Sequence, residues 1–145
     1  MKEEISMELL KESDMEKNRP NIKMGPIVMD CGMGGAKVLS EFYSRLLGWN
    51  LSHPAQNGTS AITSPQGNVM AFQEVEGYES PVWPWKAGKQ GQMIHFDLEV
   101  EDLEEAISYA VLCGARLAEE IFFEDSRTLF DPAGHPFCLD TYRED

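Results

Sequence analysis

A chain of 145 residues with 42% hydrophobic and 26% charged side chains is long enough for one domain with a packed interior, and its composition excludes a disordered chain. The formal net charge of −13 repels nucleic-acid phosphates and anionic membranes, so neither is an expected partner. Cys31, Cys113 and Cys138 form neither an even disulfide set nor a zinc-type pair spacing; with no bilayer-length apolar run and no apolar signal core in the charged first twenty residues, a reducing cytoplasm is the expected location.

Residues 1–25 read as a charged extension. Ile5, Met7, Leu9 and Leu10 allow a helical turn or two, which Pro20 ends, and no chemistry is assigned there. From Pro26 the pattern becomes regular. "PIVMDCGM" predicts a strand, and "GGAKVLSEFYSRLLG" predicts a helix with Leu39, Phe42, Tyr43, Leu46 and Leu47 on one face and Gly48 as its stop. "GMGG" (32–35) lacks the lysine and the spaced glycines of a phosphate loop and reads as the turn into that helix. Strands "WNLSH", "TSAITS" and "NVMAFQEV" follow, separated by the turns "PAQNG" and "PQG". Trp49 reads as packing, and His53 as part of a turn.

A stretch rich in Pro, Gly and Trp (76–92) precedes a second run of the same order. In "MIHFDLEV" (93–100), Ile94, Phe96, Leu98 and Val100 alternate with Met93, His95, Asp97 and Glu99, the pattern of a strand with one buried face. "EDLEEAISYAVLCG" predicts a helix capped by Asp102 with Glu105 three residues on, ended by Gly114. "ARLAEEIFF", "SRTLFD" and "HPFCLDTY" predict three more strands, with His135 in an exposed turn. A shift of 67 positions lays Ile27 on Ile94, Asp30 on Asp97, and "SPQGNVMAF" (64–72) on "DPAGHPFCL" (131–139). Two signatures under one offset identify an internal repeat of strand–helix–three strands.

The repeated unit, "FY…LLGW", "HFDLEVEDLEEA" and "DPAGHPFCL" resemble the glyoxalase/bleomycin-resistance superfamily, the vicinal oxygen chelate proteins. "MDCGM", "MAFQEV" and "PVWPW" point to its glyoxalase-like branch. The resemblance implies an α+β fold over 26–142, with two βαβββ units (26–75 and 93–142) joined by the linker 76–92. The units would sit side by side as a curved, cup-like mixed sheet with helices outside. His95 and Asp97 would then face the cup, and Ile94, Phe96 and Leu98 would pack beneath the helices.

Family enzymes with a metal take one ligand from the first and one from the last strand of each unit. The resemblance puts these places at Val28, Ala71, His95 and Cys138, and the interval from 28 to 71 equals that from 95 to 138. Val28 and Ala71 carry no ligand atom, so no metal cofactor is expected; a divalent ion would need neighbours such as Asp30 and Gln73 to join His95 and Cys138. The expected site is a metal-free cluster of Asp30, Gln73, His95, Asp97 and Cys138. His95 would be the general base, with Asp97 or Asp30 as the carboxylate that orients it; the alternative is a structural histidine that donates one hydrogen bond inside the cup. Cys138 reads as a small packing residue rather than a reactive thiol. Trp83 and Trp85 are candidate lid residues over an organic ligand, or plugs between the sheets.

Three functions compete. One is a lyase or isomerase acting on a small organic molecule through His95. A second is a ligand-sequestering protein like the bleomycin-resistance relatives, for which an acidic cup with tryptophans suits a flat cation. A third, an extradiol dioxygenase, needs two histidines and a glutamate, of which only His95 is in place. Two units in one chain permit a complete cup with or without a homodimer.

Overall fold

The computed structural model describes residues 12–141. Ile5, Met7, Leu9, Leu10 and Tyr142 lie outside them. The elements run α1 (Glu12–Lys17), β1 (Ile27–Cys31), α2 (Gly35–Leu47), β2 (Asn50–Gln56), β3 (Thr59–Thr63) and β4 (Val69–Glu74). The second unit gives β5 (Phe96–Val100), α3 (Leu103–Cys113), β6 (Arg116–Leu117), β7 (Ser126–Phe130) and β8 (Pro136–Thr141). They build two four-stranded sheets ordered β1-β4-β3-β2 and β5-β8-β7-β6. In each sheet the first and last strands of a unit pair in parallel and the other pairs are antiparallel. This is the α+β double βαβββ repeat that the sequence predicts, realised as two open sheets. Among the described residues, no helix is long and apolar enough to cross a membrane.

Local chemistry explains the helix ends. Gly34 enters α2 with φ of 85°, a left-handed backbone that glycine adopts without strain. A Cβ on Gly35 would lie 2.9 Å from the Cys31 Cβ, so the glycines let the chain turn tightly off β1. Gly48 closes the helix by donating its N–H to Ser44 O. Asp102 caps α3 by accepting from the Glu105 N–H at 3.0 Å, and Gly114 ends it.

The apolar stripe of α2 organises a core common to both units. Leu39, Phe42 and Tyr43 are buried, with Leu46 and Leu47 packed at the margin. Tyr43 stacks on Phe72 of the first sheet at 5.7 Å and meets Phe96 and Phe137 of the second at 6.4 Å each. Phe42 reaches Phe137 at 6.0 Å. The interior therefore passes from one repeat to the other through a single helix.

Three stretches differ from the sequence expectation. The strand foreseen over 93–100 begins only at Phe96. Met93 and Ile94 are 88% and 71% exposed, because the chain bends at Met93 as it leaves the linker. Ile94 is thus not beneath a helix. Second, β2 runs on through Pro54, and the turn is only Asn57–Gly58, both with positive φ. Register shifts around His53 absorb the proline on this edge strand, so His53 is in a strand and exposed. Third, "ARLAEEIFF" pairs only over Arg116–Leu117. After one further bond, from Ala118 N–H to Thr128 O, it leaves the sheet edge with Ile121, Phe122 and Phe123 exposed.

Candidate functional site

Period-two alternation sets the floor of the site. Phe137 and Leu139 of β8 and Leu129 of β7 point into the core, so Cys138, Asp140 and Thr128 point the other way, next to Asp97 of β5. Above them lies a cavity of about 550 Å³. Its walls are Trp83 and Gln92 from the linker and Phe122 and Phe123 from the β6–β7 connection. Trp83 meets Phe122 edge-on, with centroids 5.5 Å apart and planes at 80°. The exposed run that fails to form a strand is therefore a wall of the site.

His95 stands just before β5 and places Nε2 3.3 Å from Asp97 Oδ1, with side chains 41% and 59% exposed. The ligating atoms of His95, Asp97 and Cys138 lie within 4.8 Å of one another. Burial pushes the Cys138 thiol up, against a lowering hydrogen bond with Thr128, and the Asp97 and Asp140 carboxylates push it up further. It is a neutral thiol, not an activated nucleophile.

Asp30 lies elsewhere. It lines a second cavity of about 430 Å³ between the units, with Val28, Tyr78, Ile94 and His135. The two cavities meet at Gln92, His95 and Pro136. Gln73 pairs with Asp30 in the ladder but lines neither cavity. Trp85 is 68% exposed and also lines neither: the chain bends at Trp83 and Pro84, which leaves Trp83 on the cavity and Trp85 over Gly91. Of the seven candidates, His95, Asp97, Cys138 and Trp83 share one cavity, and no residue of the first unit lines it.

The register explains part of this division. Val28 pairs with Ala71 as the repeat requires, but Cys138 pairs with Asp97 rather than His95. β8 obeys the 67-residue shift, whereas β5 starts two residues later than β1 would predict. The equal intervals that put His95 at the place of Val28 are corrected to Asp97. The donor set also fails the four-position metal centre that the resemblance implies. Val28 and Ala71 face each other in the first unit without a ligand atom, and among the described residues the clustered donors His95, Asp97 and Cys138 all come from the second unit.

Sequence reasoning missed a second cluster. His135 is in the foreseen turn, but its side chain is only 19% exposed. Its Nδ1 lies 2.8 Å from Asp131 Oδ2, and its Nε2 lies 3.2 Å from the Tyr78 hydroxyl. Asp131, with no exposed side-chain surface, also accepts from the Tyr43 hydroxyl at 2.7 Å and from the Ala133 and His135 backbone N–H groups. The spacing in "DPAGH" is the available signal: an aspartate opening a turn reaches N–H groups two and four residues on, and a histidine at the latter place can join it.

These buried protons give a pH prediction. Burial, with Glu74 and Asp30 nearby, pushes the Cys31 thiol up to about 11. Burial and Asp131 hold Tyr43 well above its usual range, and burial drives Tyr78 up to about 12. Each group binds its proton more tightly folded than unfolded, so the associated stability is intact below pH 9 and falls as pH rises through 11 to 12. Urea midpoints are expected to drop steeply between pH 9 and 11, and Cys31→Ala is expected to flatten the earlier part of that drop.

The sequence of residues 26–139 matches the family model described as a glyoxalase-like domain. The chain belongs to that family. No curated protein matches this glyoxalase-like chain. Among solved structures it is similar to a gene product of Arabidopsis thaliana, with TM-score 0.60 and 20% identity over 83% of this chain and 99% of that one. It is also similar to the fosfomycin resistance protein FosX of Listeria monocytogenes, with TM-score 0.59 and 10% identity over 87% and 95%. A third is a glyoxalase-related enzyme of Fulvimarina pelagi, with TM-score 0.56 and 15% identity over 83% and 89%. These likenesses show that the fold is shared with those structures.

Proposed function

We propose that this glyoxalase-like protein binds a small organic molecule in the cavity over its second sheet and moves a proton on it through His95, without a metal, in a lyase or isomerase reaction. The carrying observation is the His95–Asp97 pair at the floor of an aromatic-walled cavity. In the neutral imidazole an Nε2–H donated to Asp97 leaves Nδ1 as the basic nitrogen, and the carboxylate stabilises the imidazolium once the proton arrives. A ligand that covers the half-exposed pair removes water and strengthens that interaction. The three free thiols suit a reducing cytoplasm.

The second reading is sequestration without turnover. It is favoured by the Val28–Ala71 ladder pair of the first unit, which offers neither a ligand atom nor an acid–base group. A neighbouring structure, a variant of the Listeria FosX, is complexed with Mn(II) and 1S,2S-dihydroxypropylphosphonic acid. The test of the metal-free reading is calorimetric titration of protein purified without chelator or histidine tag, using Zn²⁺, Ni²⁺, Mn²⁺ and Fe²⁺ on the wild type and His95→Ala. The expected result is no tight stoichiometric ion. One-to-one binding that disappears in His95→Ala would overturn it.

A further inference from the structure

The two adjoining cavities share an electrostatic property that separates this chain from a binder of anionic substrates. Among the described residues, no lysine or arginine lines either one. The first carries Asp97, Glu120, Asp125 and Asp140, and the second carries Asp30 and Glu79. The nearest basic side chain in sequence, Arg127, spends its guanidinium on the carbonyls of Phe123, Glu124 and Ser126 and lines neither cavity. The walls add aromatic surface in Trp83, Phe122 and Phe123.

A second observation lies where the cavities meet. Gln92 Oε1 is buried and has no hydrogen-bond partner among the described residues, and Gln92 lines both cavities. A buried acceptor left open beside two cavities is a polar group whose partner the described residues do not supply. The surface of the second cavity is more apolar, with Val28, Val75, Met93 and Ile94.

We propose that the ligand is an organic ammonium compound with an apolar or aromatic body. Its charged nitrogen sits among Asp97, Asp140 and the aromatic wall of the first cavity, it donates a hydrogen bond to Gln92 Oε1, and its apolar end lies in the second. The proposal rests on the pocket reading above and names the ligand class of that site. A carboxylate or phosphonate would meet several carboxylates and no lysine or arginine, whereas a cation gains ion pairing and attraction to the ring faces. Burial is the main reason that Cys138 holds its proton, and the Asp97 and Asp140 carboxylates add to it.

Three probes of one shape test this: 4-phenylbutylamine, 4-phenylbutanol and 4-phenylbutyrate, read by tryptophan fluorescence and by amide NMR shifts. The amine is expected to bind saturably, about tenfold more tightly than the alcohol, with the carboxylate weakest. Asp97→Asn/Asp140→Asn should abolish the preference for the amine. Glu41→Gln/Glu104→Gln, which removes the same charge from α2 and α3, should leave it. Rising salt should weaken the amine in the wild type, a readout that depends on no variant folding. Equal binding of all three, or preference for the carboxylate, would overturn the cationic class and leave the pocket reading standing. Loss of the preference in the Glu41/Glu104 control would overturn the assigned place of the charge. No saturable binding of any probe would overturn both.

Discussion

Asp131→Ala is expected to lower the unfolding free energy by about 3–5 kcal/mol, measured by urea denaturation at pH 7. The side chain is enclosed and accepts from the Tyr43 hydroxyl, the His135 ring and two backbone N–H groups. Truncation leaves all four donors without this acceptor at once, the Tyr43 hydroxyl in full burial, which costs more than loss of one neutral hydrogen bond. Tyr43→Phe removes only one donor and leaves Asp131 its other partners, so its expected cost is smaller, about 1–2 kcal/mol. The double variant should cost less than the sum of the singles, because the lost Tyr43 bond is counted in both. Strict additivity would show that the two groups do not interact. The same network ties the linker through Tyr78 and its neighbour Ser80, whose hydroxyls both donate to Ala133 O. Linker order should therefore suffer with it, and amide exchange over 78–83 is expected to rise in Asp131→Ala.

Phe137→Ala is expected to cost about 3–5 kcal/mol and to weaken both units together. Phe137 is fully buried on β8, yet its aromatic neighbours Phe42 and Tyr43 belong to α2 of the first unit. The cavity left behind would open at the joint between the repeats, where neither sheet can collapse alone. Against the modest total stability of a domain this size, such a loss leaves a small margin. Thermal unfolding should remain one cooperative transition, with tryptophan fluorescence and far-ultraviolet dichroism coincident in wild type and variant. Two separated transitions would mean that the repeats fold as independent units, contrary to the continuous core.

If His95 moves a proton and does not merely line the cavity, His95→Ala separates the two competing functions. The variant keeps the aromatic walls and Asp97, so an enzyme would still bind its substrate but no longer turn it over, whereas a sequestering protein would show no turnover in the wild type and unchanged binding in the variant. The pair is half exposed, which makes its Coulomb term modest until a ligand displaces water.

The sequence by itself determined the repeat and much of the local structure. Period-two and helical spacings found the strands and both long helices, because side-chain alternation and the 3.6-residue turn are local properties. Gly48, Gly114 and Asp102 marked ends through equally local capping chemistry. Residue spacing and motifs also led to the family, and alternation correctly turned Asp97 and Cys138 away from the core. Only the tertiary structure decided which candidates share a cavity. The two-residue delay of β5 put Asp97 opposite Cys138, and this depends on how the linker delivers the chain to β8, a long-range event with no periodic signature. The bend at Trp83 and Pro84 separated two tryptophans that look equivalent in sequence. Departure of 118–125 from the sheet edge converted apolar residues suited to a strand into a cavity wall. His135 became part of a buried network because Asp131 and Tyr78, 53 positions apart, were brought to it by packing that one turn cannot specify.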